Sequence, residues 1–244
     1  MDLIEKTENL RRHPWELSRS HNIIKFVPAD NRSIVFADIG AGDRFFASKL
    51  RRITDEKVFA VDSEYKSRKS EEEGIMCLNN ISLLENSSVD CMVMMDVLEH
   101  VEDEDAFLGM VLEKIRPGGK IIITVPAMQF LFSSHDVFLK HFRRYSRKKL
   151  TDLLLRNDII IEQNYYFYTL LFILRLVSLI YEKLNIRSGK DNSGIGMWKY
   201  DEKSLITRFL FVVLNADFFI NKILSRIFIR FPGLSLLAVC RKKS

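Results

Sequence analysis

Ile34-Val35-Phe36-Ala37-Asp38-Ile39-Gly40-Ala41-Gly42 reads as a buried strand that runs into a glycine turn. Four apolar residues in a row suit a strand covered on both faces. The two glycines permit a tight turn and let a ligand approach the backbone closely. Twenty residues after Gly42 stands Asp62, at the end of a second apolar run, Val58-Phe59-Ala60-Val61. A carboxylate there can accept hydrogen bonds from both hydroxyls of a ribose. Two more runs follow, Val89–Met95 ending at Asp96 and 120–125 ending at Pro126. Helical patterns over 46–53 and 103–115 lie between them, and Arg116-Pro117-Gly118-Gly119 reads as the turn into the fourth run. Strand and helix in alternation predict a parallel sheet with helices on both faces. The functional groups then collect at the carboxyl ends of the strands, where open α/β sheets bind ligands.

The turn favours a single nucleoside over a dinucleotide. A dinucleotide fingerprint would place a third glycine near the start of the helix, where this chain has Arg44 and Phe45.

Four segments, DIGAGD (38–43), AVDSEY (60–65), SSVDCMVMMDVLEHVED (87–103) and IRPGGKIIITVPA (115–127), resemble the class I S-adenosylmethionine-dependent methyltransferases in residue type and order. A further segment of the form HDxxxxHxRRY, running from His135 to Tyr145, is similar to one found in bacterial methyltransferases of surface-glycan and lipid pathways. The resemblance covers 10–168 and resumes at 233–243. It implies an α/β fold with a seven-stranded, mostly parallel sheet whose last strand is antiparallel, and S-adenosyl-L-methionine as cofactor. It also implies that Asp38, Gly40, Ala41 and Gly42 lie near the methionine part, that Asp62 holds the ribose, and that Asp96 closes the site. Asn80 is the candidate on the adenine side. Arg44 departs from the family pattern, which often carries a third glycine there.

Methyl transfer asks little of the protein beyond geometry and exclusion of water, with a base where the acceptor is a hydroxyl. His135 is the candidate base, since imidazole titrates near neutrality. His141, Arg143, Arg144 and Tyr145 are candidates for holding substrate, the arginines through bidentate contact with a phosphate or carboxylate. The competing reading makes His135 and Asp136 helix caps and the arginines ion-pair partners. Trp15 lies in an N-terminal helical stretch that resembles a lid over the site, and is a further substrate candidate. Glu99-His100 reads as the start of a helix lining the pocket, and the acids at 102–105 as a solvated helix start. No metal is expected.

The basic charge of the chain sits in one part of it. Residues 169–244 hold 13 Lys+Arg against five Asp+Glu, so the net +5 belongs to the tail and the body is mildly acidic. A methyltransferase domain is read over 1–168, an insertion over 169–231, and a last strand over 232–244. Two segments of the insertion, 165–181 and 209–231, are apolar beyond the needs of a surface helix. Arg175, Ser178 and Glu182 form a narrow polar stripe on the first, and Arg208, Asn215, Lys222 and Arg226 line one face of the second. A broad apolar face with a basic stripe suits the plane of an anionic membrane surface. A hairpin packed on the domain, or on a second copy as a homo-oligomer, is the other use of such faces.

The reading is therefore a methyltransferase acting on a lipid-linked or membrane-proximal acceptor, such as a glycan or a quinone-like ring. It is placed in the cytoplasm, peripheral on the inner face of the membrane. Cys77, Cys91 and Cys240 are too far apart in sequence for a CxxC site and read as core residues of a reducing compartment. No secretory signal is expected. A nucleic-acid methyltransferase is disfavoured: the basic residues are interleaved with Phe, Leu and Ile, and Asp96-Val97-Leu98-Glu99 stands where base-amine methylases carry their Pro-Pro-Tyr motif. A non-catalytic protein of the same fold, docking a complex to the membrane, is the remaining alternative.

Overall fold

The computed structural model describes residues 12–29, 32–184, 204–227 and 231–243. Among them, β1 (Phe36–Ile39), β2 (Val58–Val61), β3 (Lys69–Glu72), β4 (Ile75–Leu78), β5 (Val89–Met95), β6 (Ile115–Pro126), β7 (Ile159–Phe167) and β8 (Ser235–Lys242) form one sheet, in the order β3-β4-β2-β1-β5-β6-β8-β7. β1 is parallel to β2 and β5, β2 to β4, and β5 to β6. β8 lies between β6 and β7 and is antiparallel to both, as expected for the last strand.

The eighth strand is a correction to the seven expected. β3 forms a hairpin with β4 through Glu73 and Gly74, both at positive φ (53° and 73°). Two left-handed residues are what a two-residue turn needs to match strand twist. Lys-Ser-Glu-Glu gives no apolar alternation because β3 is an exposed edge with no core to face. A second correction concerns 116–119. Instead of a separate turn, these residues are drawn into the start of β6, where the register against β5 shifts between Val89 and Cys91.

Helices α1 (Pro14–Ile23), α2 (Phe45–Arg51), α3 (Glu104–Lys114), α4 (Ser134–Phe138), α5 (Arg147–Arg156), α6 (Thr169–Leu184) and α7 (Leu205–Arg226) complete the described chain. Period-two alternation along the strands feeds two cores. In β8, Leu236, Ala238 and Cys240 join Leu108 and Val111 of α3 and Leu150, Leu153 and Leu154 of α5. Leu237 and Val239 join Ile23 of α1, Phe46 and Leu50 of α2, and Leu214 and Phe218 of α7. All three cysteines are free and buried.

The inner face of α7 is thus part of the core. Phe218 meets Phe26, Tyr165, Phe167 and Tyr168 edge-on or tilted, with ring centroids 5.2–6.3 Å apart. Burying one such side chain contributes about 1.5–3 kcal/mol. The polar face expected to meet lipid headgroups is corrected at two positions. Asn215 accepts hydrogen bonds from Asn22 (2.6 Å) and Ser18 (3.2 Å) of α1, and Lys222 sits 4.4 Å from the ring of Phe26. Arg175 does meet Ser178, at 3.3 Å, as the stripe on α6 requires. The side chain of Glu182 lies outside the described residues.

The excursion between β7 and β8 leaves and returns at one point. Leu234 N–H donates to the Tyr168 carbonyl at 3.2 Å. A Cβ on Gly233 would lie 2.2 Å from the carbonyl oxygen of Phe167, so only glycine fits against that backbone.

Candidate active site

The carboxyl end of β1 turns through Gly40 (φ 70°) and Gly42 (φ 50°). The turn is tied to β2 by Gly40 N–H and Ala41 N–H donating to the Val61 carbonyl, at 2.8 and 3.1 Å. A Cβ on Gly40 would come within 2.7 Å of Val97 Cγ2. Arg44 stands where the family pattern often has glycine, and takes up the same left-handed backbone (φ 66°). The turn therefore keeps its shape without the third glycine, at a local cost of about 1–2 kcal/mol.

Asp62 is joined to this turn. Its Oδ2 accepts Gly42 N–H at 2.7 Å, and its Oδ1 accepts Glu64 N–H at 2.9 Å. Asp38 is buried at the base of the turn. Loss of water pushes its carboxyl up to about 7, against the Ala47 N–H and the Arg19 guanidinium, which favour the anion. Asp96, at the end of β5, adopts φ 58°, a conformation an aspartate tolerates better than most residues. Asn80 is exposed at the end of β4, where its Oδ1 caps the following turn by accepting Ser82 N–H at 2.8 Å.

Helix α1 closes over the turn. Its Arg19 pairs with Asp96, and Arg12, just before the helix, pairs with Asp43. Trp15 stacks on the guanidinium of Arg19 at 4.0 Å, so it acts on the site through that arginine. Arg12, Arg19, Asp38, Gly40, Ala41 and Met95 line the resulting pocket. Arg12, Arg19 and Asp43 escape a sequence reading because their partners lie far along the chain. The i,i+4 spacing of Trp15 and Arg19 was the available signal.

The loop from α4 to α5 carries the second polar group. Asp136 is fully buried. It accepts Ser133 N–H at 2.9 Å in a capping box, and Arg144 through Nε and Nη2 at 2.7 and 3.0 Å. His141 Nδ1 lies 3.0 Å from its Oδ1. Burial alone would raise this carboxyl, but the bonds from His141 and Arg144 outweigh it and hold the group well below the usual carboxylate range.

These partners correct the substrate-holding reading of three residues. Arg144 is buried and committed to Asp136. Arg143 pairs with Glu104 at 2.5 Å and donates to the Glu102 carbonyl at 3.0 Å. Tyr145 is fully buried and donates to Glu104 at 2.6 Å. All three serve as struts of the loop. His135 lies on α4 beside Asp136, half-buried, and burial lowers its pKa from the ordinary value, so the imidazole is neutral near pH 7.

His141 comes close to residues remote in sequence. Its ring meets that of His100 edge-on, at 4.6 Å between centroids. Glu99 lies beside them, fully buried, and burial pushes its carboxyl up to about 8. Arg19 is the common neighbour that links Glu99 to Asp38 electrostatically.

Residues 11–164 match the methyltransferase domain family. No curated protein matches the chain in sequence. Among solved structures, the chain is similar to a putative S-adenosylmethionine-dependent methyltransferase from Listeria monocytogenes. The TM-score is 0.55 at 13% identity, over 94% of this chain and 100% of that one. It is similar to an S-adenosylmethionine-dependent methyltransferase from Mesorhizobium loti with a TM-score of 0.57 at 14% identity, over 92% and 98% of the two chains. It is also similar to the [4+2]-cyclase SpnF, with a TM-score of 0.55 at 13% identity, over 97% and 85%. The glycine turn at Gly40–Gly42, the Asp62 carboxylate joined to it and the acidic Asp38 beneath it fit a nucleoside carrying a cationic amino-acid side arm. The chain belongs to the methyltransferase domain family, with the fold of the class I S-adenosylmethionine-dependent enzymes and S-adenosylmethionine as its cofactor.

Proposed function

We propose that the protein methylates a lipid-linked or membrane-proximal acceptor, such as a glycan or a quinone-like molecule, while resting on an anionic membrane surface. One observation carries this reading: the outward faces of α6 and α7 are apolar. Ile173, Leu174 and Val177 of α6, and Phe209, Val212 and Phe219 of α7, are each about half exposed or more. Phe130, itself exposed, meets Phe172 of α6 at 6.3 Å between ring centroids. The apolar surface thereby reaches the loop that carries His135 and His141. Large exposed apolar patches on a folded chain mark contact with lipid or protein. No described helix is long and apolar enough to cross a membrane, so these faces suit the plane of the interface. An apolar outer face also favours lipid over nucleic acid.

When bound, S-adenosylmethionine supplies a methyl group already activated by its sulfonium. The residues of the chain then have three tasks. Asp62 and the glycine turn hold the nucleoside, α1 excludes water from above, and His135 receives a proton when the acceptor is a hydroxyl.

The full-length protein should sediment with anionic vesicles at low salt. A variant with Phe209, Val212 and Phe219 changed to Ser should stay in the supernatant with its fold intact by circular dichroism. Wild-type protein that ignores such vesicles, or that self-associates through this face without them, would remove the membrane reading.

A pH profile tests the cofactor site separately. The cationic ammonium and sulfonium favour ionised Asp38, which titrates at about 7 in the free protein. Affinity should therefore weaken as pH falls through about 7, by up to about tenfold per pH unit. Calorimetric titration across that range should show this slope in the wild type and a flat profile in Asp38→Asn. The raised pKa has the opposite sign for the free fold, which loses stability as pH rises from the ordinary carboxylate range towards about 7.

A further inference from the structure

We propose that Glu99, His100 and His141 form a binding site for a divalent transition-metal ion of the zinc class, on the acceptor side of the cofactor pocket. Each side chain offers one ligand atom, and these atoms all lie within 4.8 Å of one another. Two segments far apart in sequence are brought together for this, and a backbone bond holds them: Phe142 N–H donates to the Glu99 carbonyl at 2.8 Å.

Glu99 gives the independent sign of a ligand. Its side chain is fully buried, and neither carboxylate oxygen pairs with another of the described residues. A carboxylate taken out of water with no side-chain partner is costly, and a bound cation removes that cost.

His141 is already arranged as a ligand. Its Nδ1 faces Asp136 at 3.0 Å, and Asp136 is fixed by Arg144. A carboxylate on one ring nitrogen sets the tautomer and leaves the lone pair of Nε2 for a metal, which is the usual outer arrangement around a ligating histidine. Asp136 and Arg144 are then positioning residues for the site.

Two imidazoles and one carboxylate favour zinc and its neighbours over magnesium or calcium, which take oxygen ligands. Three protein ligands leave a coordination position open. Glu99 is also within electrostatic reach of Arg19, whose guanidinium meets Asp96 and lines the cofactor pocket. The use of an open position rests on the methyl-transfer reading: an acceptor hydroxyl bound there becomes more acidic and gives its proton to His135. The substrate class narrows accordingly to oxygen acceptors.

Full-length protein freed of metal with a chelator should bind Co2+ and show the visible absorption bands of a low-coordinate cobalt site, and Zn2+ should displace it. Glu99→Gln and His141→Gln, which keep the side-chain volume close, should each lower the affinity at least about tenfold and lose the bands. Asp136→Asn should weaken binding with the bands shifted. An unchanged circular dichroism spectrum and melting temperature in Glu99→Gln separate a lost metal ligand from a lost fold. Metal binding that is absent from the wild type, or equal in wild type and Glu99→Gln, overturns the site. Metal binding as expected, with no hydroxyl acceptor methylated, upholds the site and removes only its catalytic use.

Discussion

Replacing Asp62 by Ala should lower the affinity for S-adenosylmethionine about a hundredfold, equivalent to about 3 kcal/mol. Two effects add in this one side chain. The carboxylate accepts the N–H groups of Gly42 and Glu64, so its removal leaves the glycine turn without the bond that sets its approach to the ligand. It also withdraws the acceptor for the ribose hydroxyls, and a polar ligand group left unpaired in a closed site is penalised in full. Calorimetry reads the affinity, and an unchanged melting temperature would separate a lost contact from a lost fold. Affinity within a factor of two or three of the wild type would mean that the nucleoside does not lie against Asp62.

Asp136→Ala should cost about 3–5 kcal/mol of stability, among the largest effects of any single polar change in this chain. Asp136 is fully buried and neutralises a buried Arg144 through two hydrogen bonds. Its removal strands that guanidinium, opens the capping box of α4 and frees His141. The same loop is braced by Arg143 and Tyr145 on Glu104, so the loss should propagate to the start of α3. Urea denaturation measures it. A change below about 1 kcal/mol would show that water replaces the carboxylate and that the cluster is not a closed core.

The glycine turn and the acids around it were legible because they are local. Asp38, Gly40, Gly42 and Asp62 sit at strand ends, and strand ends can be read from short apolar runs. Arg44 looked like a departure from the glycine pattern, yet the backbone absorbs it at φ 66°. The acceptor half was less legible, since it depends on pairs between distant segments. Arg143, Arg144 and Tyr145 have the residue types of a substrate clamp, and nothing in their spacing reveals that Glu104 and Asp136 already occupy them. Glu99-His100 reads as a helix start until the fold lays His141 beside it. On α7 the polar stripe was visible in sequence, but a stripe does not say which side it faces. Ser18 and Asn22 of α1 claim Asn215, and the ring of Phe26 claims Lys222, so these two turn inward beside Leu214 and Phe218 and leave Phe209, Val212 and Phe219 outward. β3 escaped notice for the opposite reason, since an exposed edge leaves no apolar mark.

The closure of the β7–β8 excursion at Tyr168, Gly233 and Leu234 has a consequence for how such a chain can vary. The path departs and rejoins the sheet through neighbouring backbone atoms, so the register of β8 is insulated from whatever length of chain is spent between. The chain spent between can lengthen, shorten or be exchanged while the strand pairing, and with it the glycine turn, stays in place. Among the described residues, the inner stripe of α7, with Leu214 and Phe218, and the start of α6, with Leu171, pack against the body. A catalytic frame that holds still beside a surface free to diverge is the arrangement in which one chemistry can be redirected to new locations and new acceptors.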